Sequence, residues 1–285
     1  MPTWLQVTLV LLTSLAAVAL SAVWWGSRRW DASTEALRAR LFAQARRRGA
    51  VYTRSELCGL PPPVVRYFER ALQELQPLPA RVRIQWEGSF NMGTPAADKW
   101  VPFSAVQDIV PGAPGMVWDA RIMMAPGLAV RVRDGLVEGE GSMRGAVLGL
   151  IPVVDKAGTP EMARASLQRY LAEATWVPTA LLPSERVVWT AIDDTRALAT
   201  LGAGQVSASV EFRFDPEGRP TSIFVPDRLY DDGKRPPALH PWQGRNLSFK
   251  TVGSTLVPDA AIVEWLLPGG PFPYWKGHSV AITCE

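Results

Sequence analysis

Only two histidines, His240 and His278, are available for acid–base or metal chemistry, and neither has a second ligand at metal-binding spacing. His240 lies in Pro236-Pro237-Ala238-Leu239-His240-Pro241-Trp242, which reads as a rigid, exposed loop. Asp231 or Asp232 could reach back to orient its ring as a general base. Asp193-Asp194 and Asp227 are further carboxylates, but aspartates between strand-like runs usually bond their own backbone in turns. The run Gly139-Glu140-Gly141-Ser142-Met143-Arg144-Gly145 has the glycine content of a phosphate loop without dinucleotide or P-loop spacing, and hairpin glycines account for it. No serine occupies a G-x-S-x-G elbow, and no cofactor pattern is present.

Tryptophan is the denser signal. Beyond Trp4, Trp24, Trp25 and Trp30 the chain holds Trp86, Trp100, Trp118, Trp176, Trp189, Trp242, Trp265 and Trp275, with Met116, Met123, Met124 and Met143 among them. Several fall on the inward rhythm of strands, where broad and adaptable side chains either fill a core or wall an apolar ligand site. If the second, the expected lining is Trp86, Trp118, Met123, Met124, Trp176 and Trp189.

The elements that must position these residues are mostly strands. Val82, Ile84 and Trp86 alternate with Arg81, Arg83, Gln85 and Glu87, and Val206 to Phe214 alternates without interruption, the period of a strand with one wet face. Similar runs occur near 100–109, 116–124, 128–133, 136–144, 186–192, 196–201, 221–230, 246–252, 255–265 and 278–283. Pro61-Pro62-Pro63 opens a helix whose stripe is Val64, Val65, Phe68, Leu72 and Leu75. Pro160 opens another, with Leu167, Tyr170, Leu171 and Ala174 on one face and Arg169 and Glu173 on the other. Two helices cannot dry a flat sheet of that many strands. The expectation is an α+β, mainly β fold: a large curved antiparallel sheet or half-barrel with helices in its concavity, forming one domain over residues 61–285.

The N-terminus differs in kind. From Trp4 to Trp25 there is no ionisable side chain, and such a run, at about 1.5 Å per residue, crosses a hydrocarbon core of about 30 Å. This gives a single-pass anchor over residues 1–27 in the cell membrane, with Trp24, Trp25, Arg28 and Arg29 at the lipid interface; a cleaved signal peptide is the competing reading. Residues 28–60 read as a basic juxtamembrane helix and linker. Asp31 or Ser33 caps it, Gly49 ends it, and it lies on anionic headgroups or stands as a solvated spacer. Arg28, Arg29, Arg38, Arg40, Arg46, Arg47 and Arg48 follow the span and none precedes it, which favours a cytoplasmic domain. Membrane lipids are thus the expected partners. Nucleic acid is not, because the basic residues are spread beside 27 acids and no binding signature accompanies them. Cys58 and Cys284 permit one disulfide, with two unpaired thiols the simpler expectation.

Three phrases carry a resemblance: Trp100-Val101-Pro102-Phe103-Ser104-Ala105; Trp118-Asp119-Ala120-Arg121 with Met124-Ala125-Pro126-Gly127-Leu128; and Arg169-Tyr170-Leu171-Ala172-Glu173 with Trp176 to Pro183. Over about residues 60 to 283 the chain resembles an uncharacterised bacterial family known as a domain of unknown function, which brings no activity with it. The inferred sheet is also similar in shape to the LolA-like half-barrels of periplasmic lipoprotein carriers, which implies an acyl-chain hollow and an outward-facing domain. The sequence reading therefore leads to a tethered binder of a lipid or other apolar ligand, against a membrane-bound enzyme using His240 and loop carboxylates, or an interaction scaffold with a solid core.

Overall fold

A computed structural model describes residues 2–45, 49–233 and 236–285. Arg46, Arg47 and Arg48 of the expected basic segment lie outside them. The chain forms a long helix α1 (Thr3–Ala43), a short α2 (Pro62–Ala71), strands β1 (Val82–Asn91), β2 (Trp100–Val110), β3 (Gly115–Ala125), β4 (Leu128–Val137), β5 (Glu140–Val147) and β6 (Ile151–Ala157), and then helix α3 (Pro160–Glu173). After α3 come β7 (Val187–Ala191), β8 (Arg196–Ala203), β9 (Val206–Phe214), β10 (Pro220–Tyr230), β11 (Ala238–Val252), β12 (Thr255–Leu267) and β13 (Gly270–Cys284).

The strands make one antiparallel sheet in the order β6-β5-β4-β3-β2-β1-β13-β12-β11-β10-β9-β8-β7. Two meandering arms are thus joined at the middle, where β1 pairs with β13. Laid flat at about 4.8 Å per strand this sheet would be about 60 Å wide. It curls instead: α3, which connects the two outer edges, packs on β4 and β5 of one arm and on β8, β9 and β10 of the other. Bulges at Gln85/Trp86, Val225/Arg228 and Val263/Glu264 add local bend.

Alternation decides which residues meet inside. On the concave face Ile84, Trp86, Trp118, Ala120, Ile122, Val210, Phe212 and Phe214 are buried with Tyr67 and Phe68 of α2 and Leu167, Tyr170 and Leu171 of α3. Close approach of α3 to β5 requires Gly141, where a β-carbon would lie 2.5 Å from the Met162 carbonyl oxygen. Within the glycine run, Gly141 is thus a packing glycine, while Gly139, at φ +81 in the β4–β5 turn, is a hairpin glycine as expected.

The convex face of the first arm is covered by the second half of α1. No break occurs after residue 27, and Asp31 and Ser33 lie inside a continuous helix rather than capping a new one. Leu41 is buried against Val110, Val117 and Val137, Trp30 donates from its indole nitrogen to Asp119 at 2.8 Å, and Arg133 donates to Ser33 and Thr34 at 2.8 and 2.7 Å. Arg38 pairs with the buried Asp108 at 2.7 Å, and Arg40 pairs with Glu138. The helix is therefore held by the sheet, and Arg38 and Arg40 are committed to the sheet's acids. Its apolar first half is long enough to cross a membrane and is not buried by the domain. At the end of that stretch Arg28 and Arg29 stack over the exposed rings of Trp24 and Trp25, at 5.3 and 5.4 Å from the ring centroids.

Several sequence expectations are corrected. Helix α2 stops at Ala71, and Leu75 is an exposed residue with positive φ instead of part of its stripe. Residues 151–157, which show no alternation in the sequence, form the edge strand β6. The stretch around His240 belongs to β11, not to a loop: Pro241 is tolerated because the ladder with β10 skips it opposite the Val225/Arg228 bulge, so its missing N–H is not required. Residues 50–60 are part of the fold, with Tyr52 and Leu57 buried in the main core. Cys58 and Cys284, by contrast, are both unpaired, as the simpler expectation had it, and both are exposed.

Candidate functional site

Between the concave face and α3 lies a cavity of about 370 Å³, within the range of about 300–1,000 Å³ common to small-molecule sites. Its wall is mainly aromatic: Trp86, Trp118, Trp176, Trp242, Trp265 and Trp275, with Phe90, Tyr230, Phe272 and Tyr274. Trp86 meets Trp275 edge-on at 5.6 Å between centroids, and Tyr230 meets Trp265 at 4.9 Å. A second hollow of about 500 Å³, lined by Leu78, Val82, Val252, Val257 and Ile282, has Trp176 as its common wall with the first. Tyr230, at the other end, is shared with a recess of about 370 Å³ formed by Pro95, Asp232, His240, Leu267 and Pro268.

The aromatic cavity holds buried charge. Arg169 and Glu173, one helical turn apart on α3, pair at 2.7 Å, and Arg169 also pairs with Asp134 of β4. The Arg169 guanidinium lies 4.8 Å from the Trp118 ring centroid. Glu173 accepts from Gln107 at 2.6 Å, and Gln107 accepts from the Trp86 indole at 2.9 Å. Burial pushes the Asp134 carboxyl above its ordinary range, with Arg169 opposing the shift.

Arg228 stands apart from this triad. The β10 bulge inserts one residue before it, so that Asp227 and Arg228 both face α3: Asp227 pairs with Arg164 at 2.7 Å, and Arg228 enters the cavity. Its guanidinium donates to the Ala165 carbonyl and lies 4.7 Å from the Trp242 centroid, while its Nε has no hydrogen-bond partner. Burial lowers its pKa, because the cation has lost water without gaining a carboxylate in contact. The indole nitrogen of Trp176 and one oxygen of Asp134 are likewise buried without partners.

Of the residues singled out in the sequence, Trp86, Trp118 and Trp176 line this cavity. Trp189 sits deeper, between Phe68 and Phe212, and donates to the Leu181 carbonyl at 2.9 Å. Met123 lies in register opposite Ala129, on the face of β3 turned toward α1, and Met124 packs on the core after a bulge; neither lines the hollow. His240 packs edge-on to Tyr230 at 5.5 Å and shares the outer recess with Asp232. Asp231 is engaged by Lys156, which draws its pKa down. Asp193 is a turn residue: the Thr195 N–H and then Arg196 and the Thr195 hydroxyl hold its carboxyl at about 2. Among the described residues no group of three or more metal-ligating side chains occurs.

The chain matches DUF6544, a family of unknown function, over residues 50–277, and belongs to it. No curated protein matches the sequence. Among solved structures it is similar to a LolA superfamily protein from Nitrosomonas europaea, with 12% identity and a TM-score of 0.39 over 83% of this chain and 94% of that one. It is also similar to a β-barrel-like protein of domain of unknown function DUF1849 from Brucella abortus, with 7% identity and a TM-score of 0.26 over 72% and 98%.

Proposed function

We propose that this protein is a membrane-tethered, non-catalytic binder of a lipid-like ligand, with the apolar first half of α1 as its anchor. The observation that carries the reading is the aromatic cavity with Arg228 inside it. Ten aromatic rings offer broad apolar contact, and a buried cation without a carboxylate in contact is complemented by an anion on the ligand. An amphiphile with an anionic head at Arg228 and an apolar body against the tryptophans fits both features. The arginines after the apolar stretch favour a cytoplasmic domain, which a reporter fused at the C-terminus tests.

The ligand reading is tested with the full chain in phospholipid nanodiscs and a diazirine-bearing palmitate, mapping labelled peptides by mass spectrometry. Residues 3–25 serve as the internal control for labelling from the bilayer. Expected is light-dependent labelling of peptides carrying Met143, Trp242 or Trp265, suppressed by unlabelled palmitate. Labelling confined to residues 3–25 would overturn the reading.

A further inference from the structure

The turns of the sheet differ in chemistry between its two rims. Register puts the connections 92–99, 126–127, 148–150 and 268–269 on one rim. Around them run Met92-Gly93-Thr94-Pro95-Ala96-Ala97, Ala125-Pro126-Gly127-Leu128, Leu148-Gly149-Leu150-Ile151-Pro152-Val153 and Leu267-Pro268-Gly269-Gly270-Pro271, without one ionisable side chain. Met92, Leu128, Ile151 and Val153 are 40%, 40%, 64% and 55% exposed there. Charged side chains at this end, such as Asp98, Lys99 and Asp231, flank these turns. The opposite rim carries Glu138, Asp193, Asp194, Asp215 and Glu217 in its turns, and its exposed Ile192 adjoins two of those acids.

Helix α1 fixes which rim faces the anchor. Gly26 packs against Leu150 and Gly149 in the β5–β6 turn, while Leu41 reaches Val110 and Val137 at the other rim. The apolar stretch before Gly26 therefore leaves the domain from the rim that carries these four turns. The helix carries no proline and no break at that point that could turn it away. The recess of Pro95, Leu267, Pro268 and Gly269, with Asp232 and His240, lies on the same rim and has Tyr230 as its common wall with the aromatic cavity.

We infer that this rim rests on the lipid surface, with Leu128 and Ile151 among the headgroups, and that the recess at Tyr230 is the portal between bilayer and cavity. This rests on the anchor reading above. Apolar side chains at such a boundary are buried about 5–10 Å into the headgroup region, and the tips of four adjacent turns supply them here, with Asp98, Lys99, Asp231 and Asp232 beside them at the level of the polar headgroups.

The test uses the full chain with Cys58→Ser and Cys284→Ser, in nanodiscs of phosphatidylcholine and phosphatidylglycerol. Nitroxides are attached at Leu128→Cys or Ile151→Cys, with Leu11→Cys and Asp194→Cys as references. Collision with oxygen is compared with collision with a water-soluble nickel chelate. Expected is a several-fold higher oxygen-to-nickel ratio at 128 and 151 than at 194, approaching that at 11. If 128 and 151 match 194 while 11 is shielded from nickel, the anchor stands and the lipid-facing rim is refuted. Nickel access at 11 as well refutes both.

Discussion

The ring of Trp176 meets that of Trp86 edge-on, with centroids 5.0 Å apart and planes at 74°, and it stands as the partition between the aromatic cavity and the hollow behind it. Removing it joins two spaces. Trp176→Ala is expected to cost about 3–5 kcal/mol of stability and to shift ligand preference toward longer chains. A chain-length series of photoactivatable fatty acids reads the shift; an unchanged preference in a folded variant would show that Trp176 sets no limit on length.

Arg228 should decide head-group charge. Arg228→Gln keeps hydrogen-bonding capacity and removes the cation, so preference for palmitate over hexadecanol should fall by about tenfold, the loss of about 1.4 kcal/mol expected of a charge-assisted contact. Competition of each compound against the diazirine probe measures this. Equal competition by acid and alcohol in the unaltered protein would leave the hollow apolar but without an anion site.

Asp134 gives the pH dependence. Its carboxyl is raised by burial in the fold, so the folded state holds its proton more tightly than the unfolded chain. Its contribution is then most favourable below the unfolded value of about 3.9 and is lost as pH rises through the folded value. Asp134→Asn lacks that slope. The difference in Tm between the variant and the unaltered protein should therefore move in the variant's favour from pH 4 to pH 8, and a gap that stays constant would contradict the assignment.

Gly26 seats α1 on the sheet. A β-carbon there would lie 2.4 Å from Leu150 Cγ and 3.3 Å from the Gly149 carbonyl carbon. Leu150 can turn away from an alanine, but not from a branched side chain against its backbone. Gly26→Val should raise hydrogen exchange in residues 30–41, with Gly26→Ala intermediate. Unaltered protection would mean that Trp30, Arg133 and Leu41 hold the helix alone.

Legibility in the sequence followed the solvent. Val206 to Phe214 announced itself because its outer face is wet, so polar residues mark every other position. Strand β6 did not, because Ile151, Pro152 and Val153 are exposed together at an edge and leave no alternation to read. The continuity of α1 depends on its docking to Asp119, Arg133 and Val117, partners remote in sequence. The charged cluster was hidden for a different reason: a Glu and an Arg one helical turn apart look the same on a wet face and inside a cavity. Arg228 was harder still, since its direction is set by a one-residue bulge and not by composition.

The pairing of β1 with β13 has a consequence for biosynthesis. As the chain leaves the ribosome, β1 through β6 can zip as successive hairpins, but the other edge of β1 remains unpaired until the C-terminal strand emerges. The hollow is thus completed only once β13 has been made, by a contact between the first and last strands of the sheet. Until then the β1 edge, with Ile84 and Trp86 uncovered, is a template for pairing with a neighbouring chain, and loss of β13 alone would leave two open half-sheets joined through α3 and through the packing of α2 on β8 and β12.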